Sequence, residues 1–228
     1  ICLQAILQLL VQRILQGLRP RIMTVGVIHP IFGKAIYANK LDIDTESIVS
    51  LMSSPIKSAD AGDEYKGKES LYVLEDMKFR GLKEAILNEL NYYISDTLKY
   101  TNQFKITTSW FTVLERGEKS QVHNHHNSFI SGVLYLQTNP ESGDITFTDF
   151  TDNRLSLIPE EYNIFNSKEW VYKPENGLIL FFPSELHHGT EINQSEEKRH
   201  SLSFNIIPVG TLGNKESDSH YVSGAVYQ

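Results

Sequence analysis

The spacing of hydrophobic positions changes near residue 104. Before it, Leu82, Ile86, Leu90, Tyr93, Ile94 and Leu98 recur at helical spacing after Gly81, with no internal Gly or Pro. That period puts them on one face of a helix, expected to pack on the outside of a sheet. A shorter helix is predicted from Asp44 or Thr45, either of which can cap the first free N–H groups. It carries Ile48, Leu51 and Met52 on one face and stops near Pro55. Residues 23–43, with β-favouring clusters around Pro30 and Gly33, read as a strand pair or extended arm, and the polar stretch 57–69 as a surface loop. Past residue 104 the runs shorten to strand length, at 105–115, 120–126, 129–137, 144–149, 169–173, 177–182 and 199–207. Turn signals fall between several of them, at Asn139-Pro140, Ser142-Gly143 and Asn176-Gly177. Short strands at this spacing argue for an antiparallel sandwich or barrel. The expected fold is mainly β, a double-stranded β-helix (jelly roll) core with flanking helices.

The domain layout follows from the same pass. Residues 23–213 are expected to form a single domain, with helical support at about 44–100 and the jelly-roll core at about 104–207, and 214–228 a C-terminal tail. Residues 1–22 read differently. Ile1 to Leu18 is rich in Leu, Ile and Gln and interrupted by Arg13. The stretch lacks the basic n-region and small-residue cleavage site of a signal peptide, and its apolar run is too short to span a bilayer. It is read as an atypical leader outside the working fold, with an amphipathic helix against a partner as the alternative.

Composition narrows the picture. Hydrophobic residues at 40% and charged residues at 21% suit a folded globular chain. A net charge of −7 argues against broad binding to nucleic acid, whose phosphates need clustered Lys and Arg. The single cysteine, Cys2, rules out an intrachain disulfide and favours a reducing, cytoplasmic setting. Asn193-Gln194-Ser195 matches a glycosylation sequon, which nothing else supports. A homo-oligomer is compatible with the sequence.

The chemistry concentrates in histidines. Five of the eight lie in two clusters, His123-Asn124-His125-His126 and His187-His188. In an extended strand, residues two apart share a face, so His123 and His125 form a two-ligand bite while His126 points away. Imidazole is the commonest ligand for Zn, Fe, Cu and Ni. A third histidine from the later cluster would complete a facial set with open positions. His29, His200 and His220 are isolated and are assigned no role. Eleven residues after His188, a strand alternates cleanly, with Leu202, Phe204 and Ile206 on one face and Arg199, Ser201, Ser203 and Asn205 on the other. An arginine inside a barrel is costly unless it meets a ligand. Its planar fork suits a carboxylate, with the Ser201 hydroxyl as a second donor. A solvent-facing polar edge is the competing reading.

Three stretches carry a family resemblance. They are the His-x-His cluster leading into Ser131-Gly132-Val133-Leu134-Tyr135-Leu136, then Phe182-Pro183-Ser184-x-Leu186-x-His188, then Arg199-x-Ser201-x-Ser203-Phe204-Asn205. Together they resemble a group of 2-oxoglutarate–Fe(II) oxygenases found in phages and marine bacteria and related to the prolyl hydroxylases. Trp110, ahead of Gly117 and the first histidine cluster, fits the same pattern. The resemblance spans roughly residues 105–207 and, more weakly, the stretch from Met23. It implies a 2-oxoglutarate-dependent dioxygenase, a hydroxylase, with Fe(II) on His123, His125 and His188. It also implies that Arg199 pairs with the distal carboxylate of 2-oxoglutarate, with Ser201 assisting. Tyr135 falls where related hydroxylases place a tyrosine near that carboxylate, unless a bulge at Gly132 turns it away, and Asn205 continues the same polar row. The substrate class stays open among protein side chain, nucleotide and metabolite.

One departure stands out. The superfamily usually has a carboxylate at the second ligand position, where this chain has His125. Three neutral imidazoles leave the metal its full charge, which a 2-oxoglutarate dianion would neutralise. Asp144 and Asp149 are nearby carboxylates read as turn or surface residues, and His126 and His187 stay open as replacement ligands. Two further readings compete: a cupin-like three-histidine dioxygenase working without 2-oxoglutarate, and a non-catalytic metal-binding jelly-roll module.

Overall fold

The computed structural model describes residues 32–52, 56–57, 71–151, 155 and 157–223. The described residues from Lys34 onward belong to one compact unit. The predicted leader, residues 23–31 of the predicted arm and nearly all of the 57–69 loop lie outside the described residues.

In chain order the elements are β1 (Tyr37–Lys40), α1 (Thr45–Ser50), β2 (Ile56–Lys57), α2 (Arg80–Tyr92), β3 (Gln103–Leu114), β4 (Ile130–Gln137), β5 (Ile145–Thr148), β6 (Glu169–Tyr172), β7 (Leu178–Pro183), β8 (His187–Thr190), β9 (Arg199–Leu212) and β10 (Tyr221–Ser223). The larger sheet runs β1-β7-β4-β9-β3-β2, with β10 added on β9, and the smaller runs β6-β5-β8. A bridge between His123 and His188 extends the smaller sheet by one more segment. Two facing sheets of this kind make the double-stranded β-helix that the strand spacing predicts.

The alternation of side chains builds two cores. On one face of the large sheet, Phe111, Ile130, Leu134, Ile179, Phe181, Leu202, Phe204 and Ile206 pack beneath Leu82, Ile86 and Leu90 of α2. This matches the helical face read from the sequence. On the other face, Val133, Tyr135, Leu180 and Phe182 meet Ile145 and Phe147 of the small sheet. Gly132 is fixed by the first core, since a Cβ there would run into the Phe204 ring and sit 2.9 Å from the Leu180 carbonyl oxygen.

The helices start and stop as their ends dictate. Asp44 caps α1 by accepting the Ser47 N–H at 3.1 Å. Helix α2 continues as one wider turn over Tyr93–Leu98 and ends at Lys99 in the left-handed conformation (φ 58°). Six of the seven predicted strands appear within a few residues of their expected bounds, and β9 runs on to Leu212. The seventh, 120–126, is reduced to the bridge at His123. Strand β8 is not among the predicted strands; it is four residues long and contains both histidines of the second cluster.

Candidate metal centre

The bridge that closes the small sheet also builds the site. His123 and His188 exchange both backbone hydrogen bonds, N–H to O at 2.9 and 2.8 Å, which places their side chains next to each other. His125, two residues along, donates its own N–H to the Ser184 carbonyl at 2.9 Å. The ligand-capable atoms of His123, His125 and His188 lie within 4.8 Å of one another, and their ring centroids are 4.6 to 5.1 Å apart. Gly189 keeps the approach close, because a Cβ there would lie 3.1 Å from Ser120 O and from Val122 N.

Two of the three rings have a fixed tautomer. Nδ1 of His123 lies 2.7 Å from Gln121 O, and Nδ1 of His188 lies 2.9 Å from Leu186 O. A carbonyl only accepts, so each Nδ1 carries the proton and each Nε2 keeps a lone pair for a metal. Among the described residues the His125 ring makes no hydrogen bond, and it packs on Trp110 at 5.9 Å. Burial, reinforced by the neighbouring His123, holds the pKa of His125 down to about 4 and that of His188 down to about 3. Both are therefore neutral near pH 7, the form in which imidazole ligates.

The alternative ligands lie apart from this group. His126 is exposed, and the His187 ring stands edge-on to Phe150 at 4.9 Å. Asp149 accepts the Thr151 N–H and hydroxyl at 2.9 and 2.6 Å, a turn role. The Asp144 carboxyl is pushed up by burial first and by Glu191 second. Among the described residues no carboxylate joins the three imidazoles.

The expected carboxylate partner, Arg199, is 2% exposed. Its Nε and Nη1 have no hydrogen-bond partner among the described residues, and neither does the Tyr135 hydroxyl. The guanidinium stands 5.0 Å from the centroid of the Tyr135 ring. Tyr135 is paired across the sheet with Ser201, so the three side chains share a face. No bulge at Gly132 turns Tyr135 away: the register shift falls between Tyr135 and Gln137, which leaves Tyr135 inside the barrel. A buried guanidinium and phenol with unmet donors lack what a carboxylate would supply. The donor set thus fits a divalent transition metal, and the orphaned groups fit a carboxylate-bearing cosubstrate.

Asn205 sits elsewhere in the row. Its Oδ1 accepts from Ser131 Oγ at 2.9 Å and its Nδ2 donates to Thr108 Oγ1 at 3.1 Å. Periodicity gives its face but not these partners. Sequence reasoning also gives no role to Ser128, Ser131 and Ser184, which continue the chain from Asn205. The sequon residue Asn193 has 0% exposure and donates through Nδ2 to Leu114 O and Glu197 O, a structural role.

A family model described as "Putative 2OG-Fe(II) oxygenase" matches residues 108–205. No curated protein matches the sequence. Among solved structures, the non-heme α-ketoglutarate-dependent epimerase SnoN from nogalamycin biosynthesis is similar with a TM-score of 0.52 at 12% identity, over 81% of each chain. HygX from Streptomyces hygroscopicus, solved with nickel, 2-oxoglutarate and hygromycin B bound, is similar with a TM-score of 0.51 at 13% identity, over 77% of this chain and 83% of that one. An oxidoreductase of the 2OG-Fe(II) oxygenase family from Burkholderia pseudomallei aligns at 14% identity and a TM-score of 0.41, over 54% of this chain. The alignment covers 55% of the Burkholderia protein, about half its length. At these identities the shared property is the fold.

Proposed function

We propose that this chain is an Fe(II)- and 2-oxoglutarate-dependent oxygenase, a hydroxylase of the family whose model matches residues 108–205. One observation carries the reading: three converged imidazoles open into the same barrel as a buried guanidinium with two unmet donors. A zinc-stabilised module or a three-histidine dioxygenase without 2-oxoglutarate gives no reason to bury that charge.

His123, His125 and His188 would hold the iron. Bound together, iron and 2-oxoglutarate supply with O₂ the oxidising power to hydroxylate a C–H bond, as 2-oxoglutarate becomes succinate and CO₂. The protein's own residues do the rest. Arg199 and the Tyr135 hydroxyl, with Ser201, bind and orient the distal carboxylate by charge-assisted hydrogen bonds. The Gln121 and Leu186 carbonyls hold the Nδ1 protons of His123 and His188 and so keep Nε2 aimed inward. Val133, Phe147, Leu180 and Phe182 line the barrel beside the site and exclude water. Asn205, already bonded on both sides of its amide, shapes the wall.

The test is an anaerobic titration with Fe(II) and then 2-oxoglutarate, following the visible charge-transfer band of the chelate. The wild type is expected to show the band, His188→Ala to lose it, and Arg199→Ala to need far more 2-oxoglutarate. Iron binding with no band at any 2-oxoglutarate concentration would overturn the reading in favour of the cosubstrate-free dioxygenase.

A further inference from the structure

The three metal-ligating candidates are not held alike. The rings of His123 and His188 are anchored through Nδ1 to backbone carbonyls. The ring of His125 has no such anchor among the described residues, and it touches Trp110 instead. What holds His125 is its backbone N–H on the Ser184 carbonyl, 2.9 Å away.

Ser184 is in turn the centre of a continuous chain of small polar side chains. It is 1% exposed, as is Ser131. Ser184 Oγ lies 2.9 Å from both Ser128 Oγ and Ser131 Oγ. Ser131 Oγ donates to Asn205 Oδ1 at 2.9 Å, and Asn205 Nδ2 reaches Thr108 Oγ1 at 3.1 Å. Ser128, three residues after His125, also receives the Ile206 N–H at 3.2 Å. Asn205 Oδ1 can only accept from a hydroxyl, so the Ser131 proton goes there. Ser128 directs its own proton to the Ile130 and Ile206 carbonyls, so the single Ser184 proton serves Ser128 or Ser131, both of which accept on that side. The chain thus ties β3, β9, β4 and the end of β7 to the loop that carries His125.

Placing five polar side chains in a β-barrel, two of them buried and three half-buried, costs stability unless each is bonded, and a satisfied network rigidifies what it touches. This one meets the ligand loop at His125 itself, through the Ser184 carbonyl, and again three residues on, at Ser128. We infer that Ser184, supported by Ser131, is a positioning residue for the metal site: it fixes the His125 backbone in place of the ring anchor that His125 lacks. The inference rests on the three-histidine site of the proposed function, and its failure is separable from failure of that reading.

The experiment is Co(II) and Fe(II) titration, by calorimetry and by the Co(II) ligand-field spectrum, of the whole chain and its Ser184→Ala, Ser184→Thr and Ser131→Ala variants. The thermal midpoint of each metal-free protein is measured alongside. Loss of a group that orients a ligand typically costs about 10–100-fold in metal affinity. Ser184→Ala is expected to lose that much and to change the Co(II) spectrum, Ser131→Ala to lose less, and Ser184→Thr, which keeps the hydroxyl, to recover most of it. If the wild type binds metal and Ser184→Ala binds it equally well with the same spectrum, the inference is overturned and the site survives. It is equally overturned if the threonine variant is as weak as alanine, or if affinity merely tracks the metal-free midpoint in both serine variants. If the wild type itself binds neither metal, the three-histidine reading fails and this inference with it.

Discussion

Strand β9 has two faces of opposite character. Leu202, Phe204 and Ile206 are each at 0% exposure beneath the helix side of the large sheet. Arg199, Ser201, Ser203 and Asn205 occupy the barrel side, and there Ser203 and Asn205 are only half-buried while Arg199 is buried with unmet donors. The helix face is complete within the chain, so its contacts set the stability of the fold. The barrel face has polar capacity that the chain does not use, so its residues should govern what binds more than whether the protein folds.

That division can be broken at its strongest point first. Phe204→Ala removes a buried ring that also abuts Gly132, and should cost about 3–5 kcal/mol. Urea unfolding would show a lower midpoint at unchanged slope. Arg199→Met does the reverse on the other face. Removing unpaired buried donors should raise metal-free stability by about 1–3 kcal/mol, while 2-oxoglutarate affinity falls about 100-fold, equal to about 2.7 kcal/mol. A destabilised Arg199→Met protein would mean that the guanidinium serves the fold after all.

The pH dependence of the metal-free protein sharpens the comparison further. Unfolded imidazoles take up protons near their ordinary value of 6.5, whereas folded His125 waits until about 4 and His188 until about 3. Between those limits the unfolded state binds more protons, so stability falls as pH falls. Each ring contributes up to about 1.4 kcal/mol per pH unit. Denaturation followed from pH 7 to 4 should show this slope, and His188→Ala should flatten it. The smallest effect is expected for Tyr135→Phe. Its hydroxyl is a single buried group with no partner among the described residues, so its removal should raise metal-free stability by about 1 kcal/mol, less than Arg199→Met. The same variant should bind 2-oxoglutarate several-fold more weakly, measured by the same titration.

Local pattern made much of this legible. Period-2 alternation in 199–207 reports its two faces directly, helical spacing in 82–98 reports the packed helix, and His-x-His reports a shared face. What stayed hidden depends on register between distant strands. No local signal says that His123 pairs with His188 rather than with His187, because that follows from how β8 lies against both β5 and the bridge. The polar chain is equally silent in sequence. Ser131 and Ser184 are separated by 53 positions and meet only when β4 and β7 align. Asn205 shows the same limit, its face being legible and its partners not.

If a carboxylate ligand meets the unpartnered guanidinium of Arg199, folding and ligand supply become one equilibrium. A carboxylate ligand that neutralises it binds only the folded chain, so stability rises with ligand concentration as RT ln(1 + [L]/Kd). A hundredfold excess over the dissociation constant adds about 2.7 kcal/mol, comparable to the whole cost of many core substitutions. The amount of folded protein in a cell would then follow the concentration of the small dicarboxylate, and abundance itself would report metabolic state before any turnover took place.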